Sequence, residues 1–176
     1  MYIWIGCKLP EIFEQEIRSR CLTLNEEIGL NTAAFSLPQH ISLKISFETN
    51  RQEAVLEDLM AWLSGQAPFS VHIQNPVQAG NILWMPVSES QQLDRLHREL
   101  DARMESRFGV PQHPFDRTFL FHSTLFMDEN TEKIARMGEM LADCSIEREL
   151  TVDTFLLGVS ETGKAGTYRV VRQIQV

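Results

Sequence analysis

The sequence is poor in cysteine, in long apolar runs and in basic residues, and each shortage argues against a class of protein. Its three cysteines lie far apart and form no CxxC pair, so we expect reduced thiols and neither a disulfide framework nor a zinc knuckle. No apolar run approaches the roughly 18 residues of a membrane-spanning helix. The first residues also lack the basic leader of a secretory signal. We therefore expect a cytoplasmic protein that makes no membrane contact.

The charge balance argues against binding to long nucleic acid. The formal net charge is −8, whereas proteins that hold extended nucleic acid carry basic surface that neutralises several phosphates. A small nucleotide or a short RNA end is therefore the expected kind of partner. Nothing in the sequence demands an oligomer, so we expect a monomer.

Two copies of one short motif are the most informative feature that is present. The pattern is histidine, any residue, hydroxyl and leucine, and it begins first at His40 and again at His122. Both copies lie in apolar runs typical of strands, in which residues two apart share a face. His40 should then share a strand face with Ser42 and Lys44, and His122 should share one with Thr124. If the two strands lie side by side, these side chains converge on one polar cleft.

The remainder of the chain predicts a duplicated α+β fold. Apolar spacing gives the order strand, helix, strand, helix, two strands, helix, strand, helix, two strands. We expect a pseudo-two-fold, bilobal arrangement in which two antiparallel sheets line a central cleft and helices lie outside. The strand beginning at Ile82 is expected to form a hairpin with the strand around Val71. Residues 1–176 should form a single two-lobed domain without a separable linker.

The motif chemistry favours proton transfer at a phosphate. The other three histidines, His72, His97 and His113, lack the hydroxyl and leucine that follow the two motif histidines, so we assign them structural or solvated roles. A metal site needs further ligands that neither motif supplies, so we expect no metal and no cofactor. A Ser-His nucleophile is disfavoured because residues i and i+2 of a strand are parallel neighbours about 6 to 7 Å apart. The two hydroxyls are better suited to bind phosphate oxygens.

This double motif resembles that of the two-histidine phosphoesterase superfamily, which includes the RNA 2′,5′-ligases and the 2′,3′-cyclic nucleotide phosphodiesterases. The resemblance covers almost the whole chain and includes a late pattern at Ser160, Gly166 and Tyr168. It implies a bilobal fold and a metal-free cleft. Ligase-type members tend to carry an arginine after the second motif, where this chain has Phe126-Met127-Asp128. That departure favours phosphoester cleavage over ligation.

We therefore expect a phosphodiesterase that hydrolyses a cyclic phosphate or a 2′,5′-type phosphodiester of a nucleotide or short RNA end. His40 and His122 would be the catalytic acid and base, although the sequence does not say which is which. Ser42, Thr124 and Lys44 would bind the phosphate, and Phe126 and Tyr168 could stack on a base. Two alternatives are also compatible with the sequence: a non-catalytic nucleotide- or RNA-binding module, and an enzyme acting on a cyclic phosphate outside RNA metabolism.

Overall fold

The structure, a computed structural model, describes all 176 residues and contains ten strands and four α-helices. The strands are β1 (Tyr2–Lys8), β2 (His40–Ser42), β3 (Phe47–Glu48), β4 (Phe69–Ile73), β5 (Val77–Ala79), β6 (Ile82–Pro86), β7 (His122–Met127), β8 (Arg148–Val152), β9 (Thr154–Ser160) and β10 (Arg169–Gln175). The helices are α1 (Glu11–Ile28), α2 (Gln52–Leu63), α3 (Gln91–Phe108) and α4 (Thr131–Ala142). Two short 3₁₀ helices, Ala33–Ser36 and Pro114–Thr118, precede the two motif strands.

The helices form where the sequence spacing predicts them, and each buries one apolar face. The α1 helix ends at Gly29, whose φ of 71° is the left-handed conformation that favours glycine. The α3 helix begins after Ser90, whose side chain accepts a hydrogen bond from the Leu93 backbone N–H. No helix of the chain combines the length and the apolar character needed to cross a membrane.

All of the strand pairs are antiparallel, and each motif strand belongs to a different sheet. The first sheet has the order β10-β9-β1-β2, and β3 pairs with the same β1 strand further along. The second motif strand, β7, lies in a three-stranded sheet of order β5-β6-β7. Because β1 and β9 are buried almost throughout, the first sheet holds a large share of the core.

The pairing in the second half differs from the sequence prediction. The strand β4 pairs along its length with β8 and not with β6, so the predicted hairpin is wrong. Only a single bridge between Ile73 and Val87 joins the β4-β8 pair to the β6 side. The β6 strand instead pairs with β5 across the turn at Gly80, because that turn brings the two segments together locally. The mixed α+β character, the antiparallel sheets and the four helices agree with the expected fold class.

Candidate active site

The two motif strands, β2 and β7, lie against each other although they belong to different sheets. A buried hydrogen bond joins them, in which the Ser123 hydroxyl donates to Oε1 of Gln39 at 2.9 Å. Gln39 directly precedes His40, and Ser123 directly follows His122. The contact therefore fixes the two halves of the site to each other beside both histidines.

Each motif histidine is oriented in the same way. Nδ1 of His40 lies 2.7 Å from the carbonyl oxygen of Pro38, and Nδ1 of His122 lies 2.6 Å from the carbonyl oxygen of Leu120. A carbonyl oxygen can only accept, so Nδ1 carries the proton and donates it in both rings. Nε2 is then the nitrogen of each neutral imidazole that can take up or release a proton.

The environment of the two imidazoles lowers both of their pKa values. Burial is the main cause for His40, and the nearby charge of His122 adds to it, while the hydrogen bond to Pro38 opposes it. Together they lower the pKa of His40 from 6.5 to about 4. Burial also lowers the pKa of His122, against the opposing effect of its bond to Leu120. Both imidazoles therefore favour their neutral forms.

A cavity of 270 Å³ opens beside the two motifs. His40, Ser42 and Thr124 line it, together with Met127 and Tyr168. None of the side chains that line it is Lys, Arg, Asp or Glu. The cavity has room for a small ligand beside two hydroxyls and an imidazole. The cavity thus brings together His40, Ser42 and Thr124, whereas His122 lies on the same strand as Thr124 but does not line this cavity.

A comparison with known protein families identifies the chain. The family description "2′-5′ RNA ligase superfamily" matches residues 15–164. The chain belongs to this superfamily. The resemblance seen in the two motifs is therefore confirmed over most of the sequence. No curated protein matches the chain in sequence.

Solved structures agree with the superfamily fold. The crystal structure of TT0787 of Thermus thermophilus is similar with a TM-score of 0.70 and 18% identity, covering 99% of this chain and 97% of that one. The E. coli LigT structure, solved as a complex with 3′-AMP, gives a TM-score of 0.62 at 18% identity, with coverage of 99% and 97%. A structure described as a phosphoesterase gives 0.60 at 18% identity and the same coverage. Superfamily membership and fold together support a phosphoesterase-type activity for this chain.

The structure corrects the prediction that Lys44 faces the cleft. The β2 strand ends at Ser42 and the backbone bends at residues 43 and 44, so the alternation of faces stops before Lys44. The Lys44 side chain is 1% exposed and its ammonium pairs with Asp101 and Asp116. Burial opposes ionisation of Asp116, but hydrogen bonds from Lys44 and from backbone N–H groups hold its pKa below the ordinary value. Lys44 is a buried ion-pair partner and does not reach a phosphate in the cleft.

The structure also corrects the prediction that Phe126 stacks on a base. Trp84 pairs with Thr124, whereas the preceding Leu83 pairs with Phe126, so β7 contains one extra residue at this point. Such a bulge reverses which face the following residues occupy. Phe126 is consequently fully buried, and Met127 reaches the cavity in its place. Tyr168 does line the cavity, as expected of a residue that could contact a base.

Sequence reasoning missed two tryptophans beside the motif histidines. The Trp4 ring lies 4.3 Å from the His40 ring, and the Trp84 ring lies 4.0 Å from the His122 ring, measured between centroids. Each tryptophan comes from the strand that pairs with a motif strand, β1 or β6. The sequence shows that both tryptophans lie in strand-like segments. It does not show the cross-strand register that brings them beside the histidines.

Proposed function

We propose that this chain is a metal-independent phosphodiesterase that hydrolyses a cyclic phosphate or a 2′,5′-type phosphodiester of a nucleotide or short RNA end. The observation that carries the proposal is the matched orientation of the two histidines. Each holds its Nδ1 proton on a carbonyl oxygen two residues earlier, which leaves Nε2 as the proton-transfer atom. Two imidazoles presented in this way supply an acid and a base for a single displacement at phosphorus.

The environments of the two histidines favour one as the base and the other as the acid. His40, with a pKa of about 4, is neutral near pH 7 and suits the base. His122 is the less buried of the two rings, and the negative charge of a bound phosphate would favour its imidazolium form. His122 therefore suits the acid.

A 2′,3′-cyclic phosphate would be hydrolysed in a single displacement at phosphorus. A water oxygen bonds to phosphorus and gives its proton to Nε2 of His40. One P–O bond to the ribose breaks, and Nε2 of His122 gives its proton to the departing ribose oxygen. The product is a phosphate monoester, and exchange with solvent returns the two rings to their starting forms. Ser42 and Thr124 would donate to the non-bridging oxygens, whose charge increases in the transition state.

The size and character of the cavity support a small nucleotide as the ligand. Its volume of 270 Å³ suits part of a nucleotide, and its lining combines apolar side chains with hydroxyls. E. coli LigT, which shares the fold, was solved with 3′-AMP. The net charge of −8 agrees with a short substrate in preference to a long polyanion. Tyr168 is then available for contact with the base.

The test is hydrolysis of 2′,3′-cyclic mononucleotides in the presence of EDTA. We expect turnover by the wild-type protein, and a loss of about 10²- to 10⁴-fold in kcat for His40→Ala and for His122→Ala, the usual worth of a positioned acid or base. His72→Ala is the matched control, because His72 pairs with Glu147 at an exposed site and should leave the rate unchanged. Binding without product would favour a non-catalytic module, and a wild-type rate in His122→Ala would refute the proposal.

A further inference from the structure

The indole of Trp4 lies flat across the first sheet, and two glycines make this possible. A Cβ atom at Gly6 would be 2.5 Å from Cζ2 of Trp4, and a Cβ atom at Gly158 would be 2.6 Å from its Cε3. Any larger residue at either position would therefore displace the ring. Gly158, on β9, pairs with Trp4, and Gly6 lies two residues after Trp4 on β1. The sequence thus keeps space over two adjacent strands for one aromatic side chain.

This orientation directs the indole N–H to the first motif. Gly6 pairs with Ser42, so the ring that covers Gly6 ends beside the Ser42 hydroxyl. Nε1 of Trp4 donates to Oγ of Ser42 at 2.9 Å. The same ring meets the His40 imidazole edge to face, at an interplanar angle of 67°. Trp4 is 6% exposed, and its hydrogen bond to Ser42 is partly buried at the wall of the cavity.

The bond from Trp4 determines how Ser42 can bind a ligand. A hydroxyl carries one proton and two lone pairs, and here one lone pair accepts from the indole. Ser42 makes no other side-chain hydrogen bond in the structure. Its own proton is therefore free to point into the cavity, where it can donate to a phosphate oxygen. Without the indole, the hydroxyl would be free to rotate and would lose part of that preference.

The second half of the site lacks this arrangement. Trp84 pairs directly with Thr124 across the strands, yet it contacts the His122 ring at an interplanar angle of 37° and makes no side-chain hydrogen bond. Thr124 receives no donor from an indole. The two half-sites match in histidine and hydroxyl but differ in how the hydroxyl is held.

We propose that Trp4 is a positioning residue that acts through Ser42, fixing its hydroxyl so that the proton points toward the substrate phosphate. This inference rests on the proposed phosphodiesterase function. Phenylalanine has a similar ring but no N–H, so Trp4→Phe removes the hydrogen bond and keeps most of the packing. One net hydrogen bond corresponds to a loss of about 3- to 10-fold in kcat.

The experiment is a double-mutant cycle with the cyclic mononucleotide as substrate. We expect Trp4→Phe to lower kcat in the wild-type background and to have no further effect in the Ser42→Ala background, because its influence passes through that hydroxyl. Trp62→Phe, a change of the same kind on α2 away from the cavity, is the control and should leave kcat unchanged. Trp84→Phe should show no coupling to Ser42→Ala.

A second readout does not depend on turnover. In a ¹H–¹⁵N spectrum, the Trp4 indole signal should move when Ser42 is replaced by alanine, while those of Trp62 and Trp84 stay in place. An equal loss for Trp4→Phe in both backgrounds, or an unmoved indole signal, overturns the inference and leaves the proposed function standing. A wild-type protein that hydrolyses no phosphodiester overturns the proposed function first and the positioning role with it.

Discussion

At the scale of single residues, the two motif histidines are alike in orientation and unlike in environment. Both donate Nδ1–H to a carbonyl oxygen, but burial and the neighbouring ring lower the pKa of His40 to about 4. The pKa of His122 is also lowered, by its more limited burial. Both rings are therefore neutral at pH 7 in the free protein. The sequence alone predicted one neutral and one charged ring; with both pKa values lowered, the negative charge of a bound phosphate would have to favour the charged ring of that pair.

The pH dependence of kcat/KM follows from the lowered pKa values of the two histidines. The free enzyme must have His40 neutral, which requires a pH above about 4, and His122 protonated, which requires a pH below its lowered pKa. We expect a bell-shaped profile with its maximum on the acid side of about 6.5, the ordinary histidine value. The alkaline limb of kcat should lie at higher pH than that of kcat/KM, because bound phosphate stabilises the imidazolium. Rates measured from pH 4.5 to 9 check this, and a kcat/KM that rises steadily through pH 8 contradicts it.

The sequence analysis assigned two side chains, Lys44 and Phe126, to the cleft incorrectly, and both errors have the same cause. Strand alternation assigned Lys44 and Phe126 to the cleft, and it holds only while the strand continues without interruption. The backbone bends after Ser42, and β7 contains an extra residue before Phe126. Each irregularity shifts the next side chain to the opposite side. His40, Ser42 and Thr124 precede these points, and they line the cavity on the face that alternation predicts.

At the scale of elements, the site depends on two strands from different sheets being held together. The hydrogen bond between Ser123 and Gln39 does this in a buried setting, with exposed fractions of 0% and 2%. In the sequence, Ser123 interrupts the apolar face of its strand between Phe121 and Leu125. Its burial is explained by this contact across the two sheets, which a single strand pattern cannot reveal.

Removing this contact should weaken both the fold and the site. We expect Ser123→Ala to lower the free energy of unfolding by about 1 to 3 kcal/mol, because the Gln39 amide oxygen is left buried without a donor. A second change, Gln39→Leu in the same chain, should recover part of that loss. Ser88→Ala is the control, since it removes an exposed hydrogen bond from Gln74. Urea unfolding gives the free energy of unfolding of each of the three variants. Equal values for Ser123→Ala and Ser88→Ala would contradict a structural role for the contact between Ser123 and Gln39.

Strand pairs differ in whether a local sequence signal predicts them. The closing hairpin of β9 and β10 has a local sequence signal, because its turn, with Gly163 and Gly166 at positive φ, lies directly between the two strands. The pairing of β4 with β8 joins segments that two helices and three strands separate. No local turn signal specifies such a pair, and only the packing of the whole chain determines it.

At the scale of the whole molecule, buried charges connect the two motif regions a second time. Lys44 lies two residues after Ser42, and its ammonium pairs with Asp116 on the 3₁₀ helix that precedes β7 and with Asp101 on α3. His97 bridges the carbonyl oxygens of Leu43 and Asp116 with its two ring nitrogens. This network lies apart from the cavity, whose lining has no Lys, Arg, Asp or Glu. His40 is thus the one histidine in the lining of that cavity, and it is neutral at pH 7.

If both Nε2 atoms serve one phosphate, a titration of ¹⁵N-histidine-labelled protein with 3′-AMP should affect both rings at once. We expect the Nε2 signals of His40 and His122 to shift together with one Kd, while both Nδ1 atoms stay protonated and the signals of exposed His72 stay unchanged. A shift at only one motif histidine, or two separate affinities, would contradict it.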